Sequence, residues 1–257
     1  MSLTIDKVGK VLTIAIDRPE CRNAVDPQTA EGLRQAFAEF DSDDTLDVAV
    51  LTGSGGHFCA GFDLKSFASA PDIDANYSPS GPGPMGPTRQ LLSKPVIAAV
   101  EGYAVAGGME LALWCDLRIA AQTATFGVFC RRWGVPLIDG GTVRLPRIIG
   151  QGRALDLILT GRPVGGAEAV SIGLANRLVP EGHARAEAEK LAAEIARFPR
   201  LCTQTDRLSA HRSWDHDLEA ALHMEAVSGE APLREGAREG AARFAGGKGR
   251  AGDFEAI

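Results

Sequence analysis

The sequence predicts an α/β fold with covered sheets, and three observations carry that expectation. Residues 48–52 (VAVLT) and 96–100 (VIAAV) are short runs of continuous apolar residues, the pattern of strands buried on both faces. A helix with its own start signal separates the first strand-like segments. Beyond residue 100, helix and strand patterns keep alternating, as they do where helices pack on a sheet.

Along the chain, residues 8–16 (VGKVLTIAI) are β-rich and apolar, so a strand is expected there. Asp26-Pro27 then supplies an N-cap and a proline at the first helical position, and Ala30, Leu33, Ala36, Phe37 and Phe40 fall on one helical face. The two apolar runs follow as strands, each ending in a glycine or polar turn. Next come a helix over 107–115, a strand over 117–120 and a helix around 153–160. Residues 66–88 (SFASAPDIDANYSPSGPGPMGPT) have no sustained periodicity and read as a long loop, which inside a compact domain is usually a lid or disordered. From about Ala184 the chain is alanine- and charge-rich helix. After Pro199 it stays helical by pattern to about Phe244, an appendage that packs against something else.

Composition narrows the function. A net charge of −6 disfavours a protein that neutralises phosphate backbones, so no nucleic-acid partner is expected. No apolar run reaches membrane-spanning length and the first residues lack a signal pattern, so the expected compartment is the cytoplasm, with no membrane partner. Five cysteines with no CxxC spacing read as reduced thiols, and no metal site is expected. Residues 53–58 (GSGGHF) carry Phe where a dinucleotide fingerprint needs its last glycine, and Leu64-Lys65-Ser66 lacks the glycine of a P-loop.

The chemistry concentrates at residues 101–116 (EGYAVAGGMELALWCD). A helix N-terminus offers unpaired N–H groups and the positive end of a dipole, and glycines let a negative atom come close. Gly107-Gly108 fits that logic, and the turn over 59–65 (CAGFDLK) offers a second glycine entry into a helix. Two such turns can aim two N–H groups at one developing oxyanion. Glu110, among apolar neighbours, would have a raised pKa suited to moving a proton; it reads equally as a salt-bridged core glutamate behind a tight turn.

These residues, with RPECRNA (18–24), HFCAGFDLK (57–65), KPVIAAVEGY (94–103) and GGMEL (107–111), resemble the enoyl-CoA hydratase/isomerase (crotonase) superfamily in order and spacing. The resemblance implies a spiral of ββα repeats over residues 1–198. Residues 199–257 would form a helical oligomerisation region that makes a homotrimer or a dimer of trimers. It also implies an acyl-CoA thioester as ligand, with coenzyme A part of the substrate and no separate cofactor. The oxyanion hole maps onto the N–H groups of Phe62 and Gly107. Cys21, Arg22, Ala60, Asp63, Leu64 and Lys65 match the turns that cradle CoA, and Tyr103, Gly108 and Cys130 lie at matching substrate positions. Ordinary turn chemistry is the other reading of those turns. Phe244 and Lys248 lie near where such proteins lend a C-terminal aromatic and a lysine to CoA.

One departure matters. Hydratases of this family bracket a water with two glutamates; Glu110 matches the first, but FGVFCRRWGVPLIDGGT (126–142) places Cys130 at the second. A thiol of ordinary pKa, about 8.5, does not replace a carboxylate in orienting water. Asp139 resembles the catalytic aspartate of the dienoyl-CoA isomerase branch, and also reads as a loop cap beside Gly140-Gly141. Arg131 and Arg132 either bind an anionic substrate group or form a solvated or interface face. The function expected is an acyl-CoA enzyme that stabilises a thioester enolate, in first place a hydratase-type lyase of fatty-acid or related metabolism. An enoyl- or dienoyl-CoA isomerase, Asp139-based thioester hydrolysis or dehalogenation, and an acyl-CoA-binding protein with little turnover are the alternatives.

Overall fold

The computed structural model describes residues 2–69, 78–249 and 252–254. Strands β1 (Leu3–Val8) and β2 (Val11–Ile16) form an antiparallel hairpin closed by the Val8–Val11 pair. The expectation of a single strand over 8–16 is therefore corrected. Gly9, at φ +58°, reverses the chain, leaving Val8 exposed while all of β2 is buried.

Helix α1 (Pro27–Ser42) starts as the sequence indicates. Asp26 accepts the Thr29 N–H at 2.8 Å, and the five apolar residues of the predicted face are buried. The chain continues through β3 (Val48–Gly53), α2 (Leu64–Ser69), β4 (Val96–Val100), β5 (Tyr103–Val105), α3 (Gly107–Trp114), β6 (Leu117–Ala121) and β7 (Thr125–Gly127). It then passes through α4 (Gly141–Ile149), α5 (Gln151–Thr160), β8 (Val164–Gly165), α6 (Gly166–Ser171), β9 (Arg177–Val179) and α7 (Ala184–Ile195). Helices α8 (Arg200–Arg212), α9 (Leu218–Ser228), α10 (Glu230–Glu235) and α11 (Ala237–Ala245) end the described chain.

Six strands form one sheet in the order β1-β2-β3-β4-β6-β9, parallel from β2 onward, and β5-β7-β8 form a second. The chain crosses between sheets within a few residues: β4 runs into β5 through Glu101-Gly102, and β6 into β7 through residues 122–124. A parallel bridge from Cys59 to Ala104 continues the second sheet toward the segment after β3. Each turn of chain thus gives a strand or bridge to both sheets and then a helix, a ββα spiral. The Gly102 corner sits at φ +49°, and a Cβ there would lie 2.3 Å from His57 Nδ1, so a side chain does not fit.

Alternate residues of the central strands serve two cores. Ala49, Leu51, Ala98 and Val100 pack toward α1 and α3, whereas Val48, Val50, Ile97 and Ala99 pack beneath Ala184, Ala188 and Leu191 of α7. Burial on both faces explains why these strands read as continuous apolar runs. By contrast, α8 to α11 contain no buried residue among those described, and Leu218, Leu222, Leu233 and Phe244 are exposed.

The loop expected over 66–88 is corrected at both ends. Residues up to Ser69 complete α2, and residues 87–89 form a short 3-10 helix with Pro87 and Thr88 buried and Met85 in the core; residues 70–77 lie outside the described residues. None of the described helices is long and apolar enough to cross a membrane.

Candidate active site

Two chain turns meet at the start of α3. Gly61, at φ +100°, has no room for a side chain: a Cβ would sit 3.0 Å from both Gly107 N and Val105 O. The neighbouring bridge uses the Gly61 carbonyl, which accepts from Val25 N at 2.8 Å, and the Asp63 N–H, which donates to Val25 O at 2.8 Å. That alternation leaves the intervening Phe62 N–H unused. Among the described residues, neither the Phe62 nor the Gly107 N–H donates to a protein acceptor. Ala106, just before α3, holds φ +53° and ψ −125°, a conformation that favours glycine and costs about 1–3 kcal/mol. Its N–H is tied to Gly127 O at 2.8 Å.

One turn into α3, the Glu110 side chain is buried, and its Oε1 accepts the N–H groups of Asp139 (2.9 Å) and Gly141 (2.8 Å). The approach is close: a Cβ on Gly141 would lie 3.0 Å from Glu110 Oε1. Burial, reinforced by the charge of Asp139, pushes the Glu110 carboxyl from 4.5 up to about 7, against the pull of the two N–H bonds. Glu110 has no ion-pair partner among the described residues, so the salt-bridged-core reading fails. Asp139 is also buried, and burial raises its pKa. Its Oδ1 accepts from Met85 N at 3.0 Å and from the Thr88 hydroxyl, while Arg144 donates to Asp139 O at 3.0 Å and to Thr88 O at 2.6 Å. Glu110 Oε2 and Asp139 Oδ2 receive no protein hydrogen bond among the described residues.

Cys130 is buried beside this pair. Desolvation, then the Glu110 charge, raises its thiol pKa, so it stands there as a neutral group. Arg131 donates to Ile158 O at 3.1 Å, and Trp133 is exposed.

The remaining expected residues divide. Arg22, in the left-handed region, lies 5.4 Å from the Tyr103 ring centroid; His57 stacks on the same ring, and Ala60 N donates to Arg22 O at 2.9 Å. This joins the Cys21 turn, the Ala60 turn and Tyr103 in one cluster, with Cys21 Sγ 3.4 Å from Arg18 O. Leu64 and Lys65 begin α2 with their side chains exposed. Asp63 is engaged internally: its carboxylate holds Arg18 at 3.1 Å and caps the N–H groups of Lys65 and Ser66. Gly108 is a packing residue, since a Cβ would lie 2.1 Å from Cys59 O. Phe244 lies exposed in α11, and Lys248 falls beyond that helix.

Four residues that sequence reasoning did not single out support the site. Fully buried Asn23 accepts from Arg18 N at 2.9 Å and donates to Ser54 O (2.8 Å) and His57 O (2.7 Å), locking both turns together. An asparagine amid turn signals is a readable cue for such bonding. Met85 packs its sulfur against the start of α3, where a Cβ on Gly107 would come within 2.6 Å of it. Thr88, 51 residues before Asp139, and Arg144, 5 residues after it, hold Asp139 from either side, and no local pattern marks them.

A family model described as Enoyl-CoA hydratase/isomerase matches residues 6–250. The probable enoyl-CoA hydratase echA8 of Mycobacterium leprae is 37% identical over 246 residues, covering 95% of this chain and 94% of that protein. Carnitinyl-CoA dehydratase of Escherichia coli K12 is 38% identical over 197 residues, 76% of this chain and 74% of that one. Among solved structures, an enoyl-CoA hydratase from Mycobacterium tuberculosis H37Rv matches with a TM-score of 0.88 at 36% identity over 95% of both chains.

Proposed function

Because the chain belongs to the enoyl-CoA hydratase/isomerase family, we propose that its site adds water across, or removes it from, the double bond of a 2-enoyl-CoA thioester. The observation that carries this reading is Glu110: a buried carboxyl with no direct ion-pair partner among the described residues, fixed by two backbone N–H groups and poised near pH 7 one turn from two amides unpartnered among those residues. The named relatives support it, since a hydratase and a dehydratase both move water.

In the hydration direction, the Phe62 and Gly107 N–H groups hold the thioester oxygen as it becomes an oxyanion. Each such donor is worth about 2.7–4 kcal/mol of transition-state stabilisation. The Asp139 carboxylate takes a proton from water as its oxygen bonds to C3. The C2–C3 π electrons move toward the thioester as an enolate, and the protonated Glu110 delivers its proton to C2. Passage of the proton from Asp139 to Glu110 restores the starting state.

The Cys21–Arg22 turn, Ala60, Leu64, Lys65 and Tyr103 cradle the CoA portion in this reading, while Asp63 and Gly108 support the turns. Cys130 lines the acyl side. No cofactor beyond the substrate's own CoA enters the scheme. We place the enzyme in the cytoplasm, in keeping with five free cysteines. The division into a core over 1–198 and an oligomerisation region over 199–257 belongs to the same proposal. Its support is the exposed apolar residues of α9 to α11 and a cleft of about 840 Å³ between α4 and α8, which includes Trp214; a homotrimer or dimer of trimers would cover them.

Cys130 favours one second reading, double-bond isomerisation, in which a single carboxylate removes and returns a proton. A panel of 2-enoyl, 3-enoyl and dienoyl thioesters in deuterated water, with products identified by mass, separates the two. Hydration adds one water; isomerisation leaves the mass unchanged apart from deuterium. Saturable thioester binding without exchange at the α-carbon would sink both readings and leave a binding protein.

A further inference from the structure

The segment 83–88 grips the acid/base pair. Asp139 Oδ1 receives two donors from it, the Met85 N–H and the Thr88 hydroxyl, while the Asp139 N–H holds Glu110 Oε1. Arg144 closes the ring by donating to the carbonyls of both Asp139 and Thr88. The fit is tight, for a Cβ on Gly83 would come 2.3 Å from Asp139 Oδ1. One carboxylate oxygen of Asp139 is thereby occupied, and the other accepts no protein hydrogen bond among the described residues.

We propose that Thr88 is the positioning residue of this site: its hydroxyl, shared with the Met85 N–H on Asp139 Oδ1, keeps Asp139 ionised and aims Oδ2 at the reacting water, so that Glu110 carries the single proton of the pair. The proposal rests on the reading of Glu110 and Asp139 as the acid/base pair.

The physical reason is an asymmetry between two buried carboxyls that cannot both ionise cheaply. Each accepts two hydrogen bonds on one oxygen. Those to Glu110 are both backbone N–H bonds. Asp139 receives one backbone N–H and one hydroxyl donor, and Arg89 and Arg144 add favourable charge around it. Glu110 faces the charge of Asp139 and the neutral thiol of Cys130, with Arg144 the cation acting on it. Thr88 is the member of this set whose donor can be removed without deleting a charge or a backbone group.

The test uses Thr88→Val, which keeps the shape and loses the hydroxyl, and Thr88→Ser, which restores the donor. Both are assayed as the full chain on a short 2-enoyl-CoA thioester across pH 5–9. Thr88→Val should lower kcat at least tenfold with KM changed less than threefold, and should move the acid limb of the kcat profile up by about one pH unit as Asp139 gains proton affinity. Thr88→Ser should return both toward wild type. A Thr88→Val profile that superimposes on wild type overturns the proposal, as does a loss of kcat with an unmoved limb that serine does not rescue. Should the valine variant fold poorly, NMR titration of wild-type carboxyl carbons decides the same point: Asp139 ionised and Glu110 protonated near pH 6 supports the proposal, and the reverse order overturns it. Asp139→Asn separates this from the underlying reading. Full activity in that variant removes Asp139 from the chemistry, whereas its inactivity beside a silent Thr88→Val defeats the Thr88 role alone.

Discussion

Glu110→Gln should make this protein more stable at alkaline pH while abolishing turnover. In the wild type the carboxyl passes from 4.5 when exposed to about 7 in the fold. A raised carboxyl pKa means that the folded state holds the proton more tightly than the unfolded chain. No penalty exists below pH 4.5; it grows as pH rises through the window and is complete above pH 7. At about 1.4 kcal/mol per pH unit, the interval corresponds to a penalty of about 3 kcal/mol. Glutamine keeps the Oε1 acceptor for the N–H groups of Asp139 and Gly141 but has no proton to lose. The gap in urea-unfolding free energy between variant and wild type, measured at fixed protein concentration, should therefore widen from below about 1 kcal/mol at pH 5 to about 3 kcal/mol at pH 8–9. A gap independent of pH, or one that narrows, would refute the argument that burial of this carboxyl is what tunes it. Over the same series, exchange at the substrate α-carbon should disappear while thioester binding persists.

Gly107→Ala places a methyl 2.6 Å from Met85 Sδ at the amide that would hold the oxyanion; kcat/KM should fall by about 10²–10³ and stability by about 1–3 kcal/mol, and near-normal kinetics would contradict the proposed oxyanion hole. Ala106→Gly relieves a backbone held at φ +53°. Strain relief of about 1–3 kcal/mol outweighs the added unfolded-state entropy of about 0.5–1 kcal/mol, so thermal unfolding should shift upward with turnover within twofold; a destabilised variant would contradict the strain. Cys130→Ser should leave turnover within about threefold and change no pH limb, because the thiol is already neutral; a hundredfold loss would make the thiol a participant.

Much of the fold was legible because its determinants are local. Asp26-Pro27 starts α1 by chemistry confined to four residues, and the apolar runs at 48–52 and 96–100 report two-sided burial directly. The hairpin at Gly9 was hidden because β-forming residues stand on both sides of Gly9-Lys10, whereas burial begins only at Val11. The segment after residue 77 looked structureless because what orders it is remote. Met85 and Thr88 are held by Asp139, more than fifty residues onward, and their backbone has no periodic pattern to display. Asp63 and Gly108 are marked as ligand contacts by spacing that matches a binding turn; what the spacing does not show is the Arg18 guanidinium that Asp63 holds and the Cys59 carbonyl against which Gly108 packs.

From the sequence alone came the element types, the glycine-marked helix start, the carboxylate one turn beyond it and the thiol where a second acid was expected. These depend on neighbouring residues and on the intrinsic geometry of glycine, proline and apolar patterns. The three-dimensional packing decided which carboxyls are buried side by side, which amides are left unspent and which side chains are tied to other turns. Those properties arise from desolvation and from hydrogen bonds between segments tens of residues apart: Glu110 is poised near pH 7 because the Asp139–Gly141 turn, from a different part of the chain, closes over it.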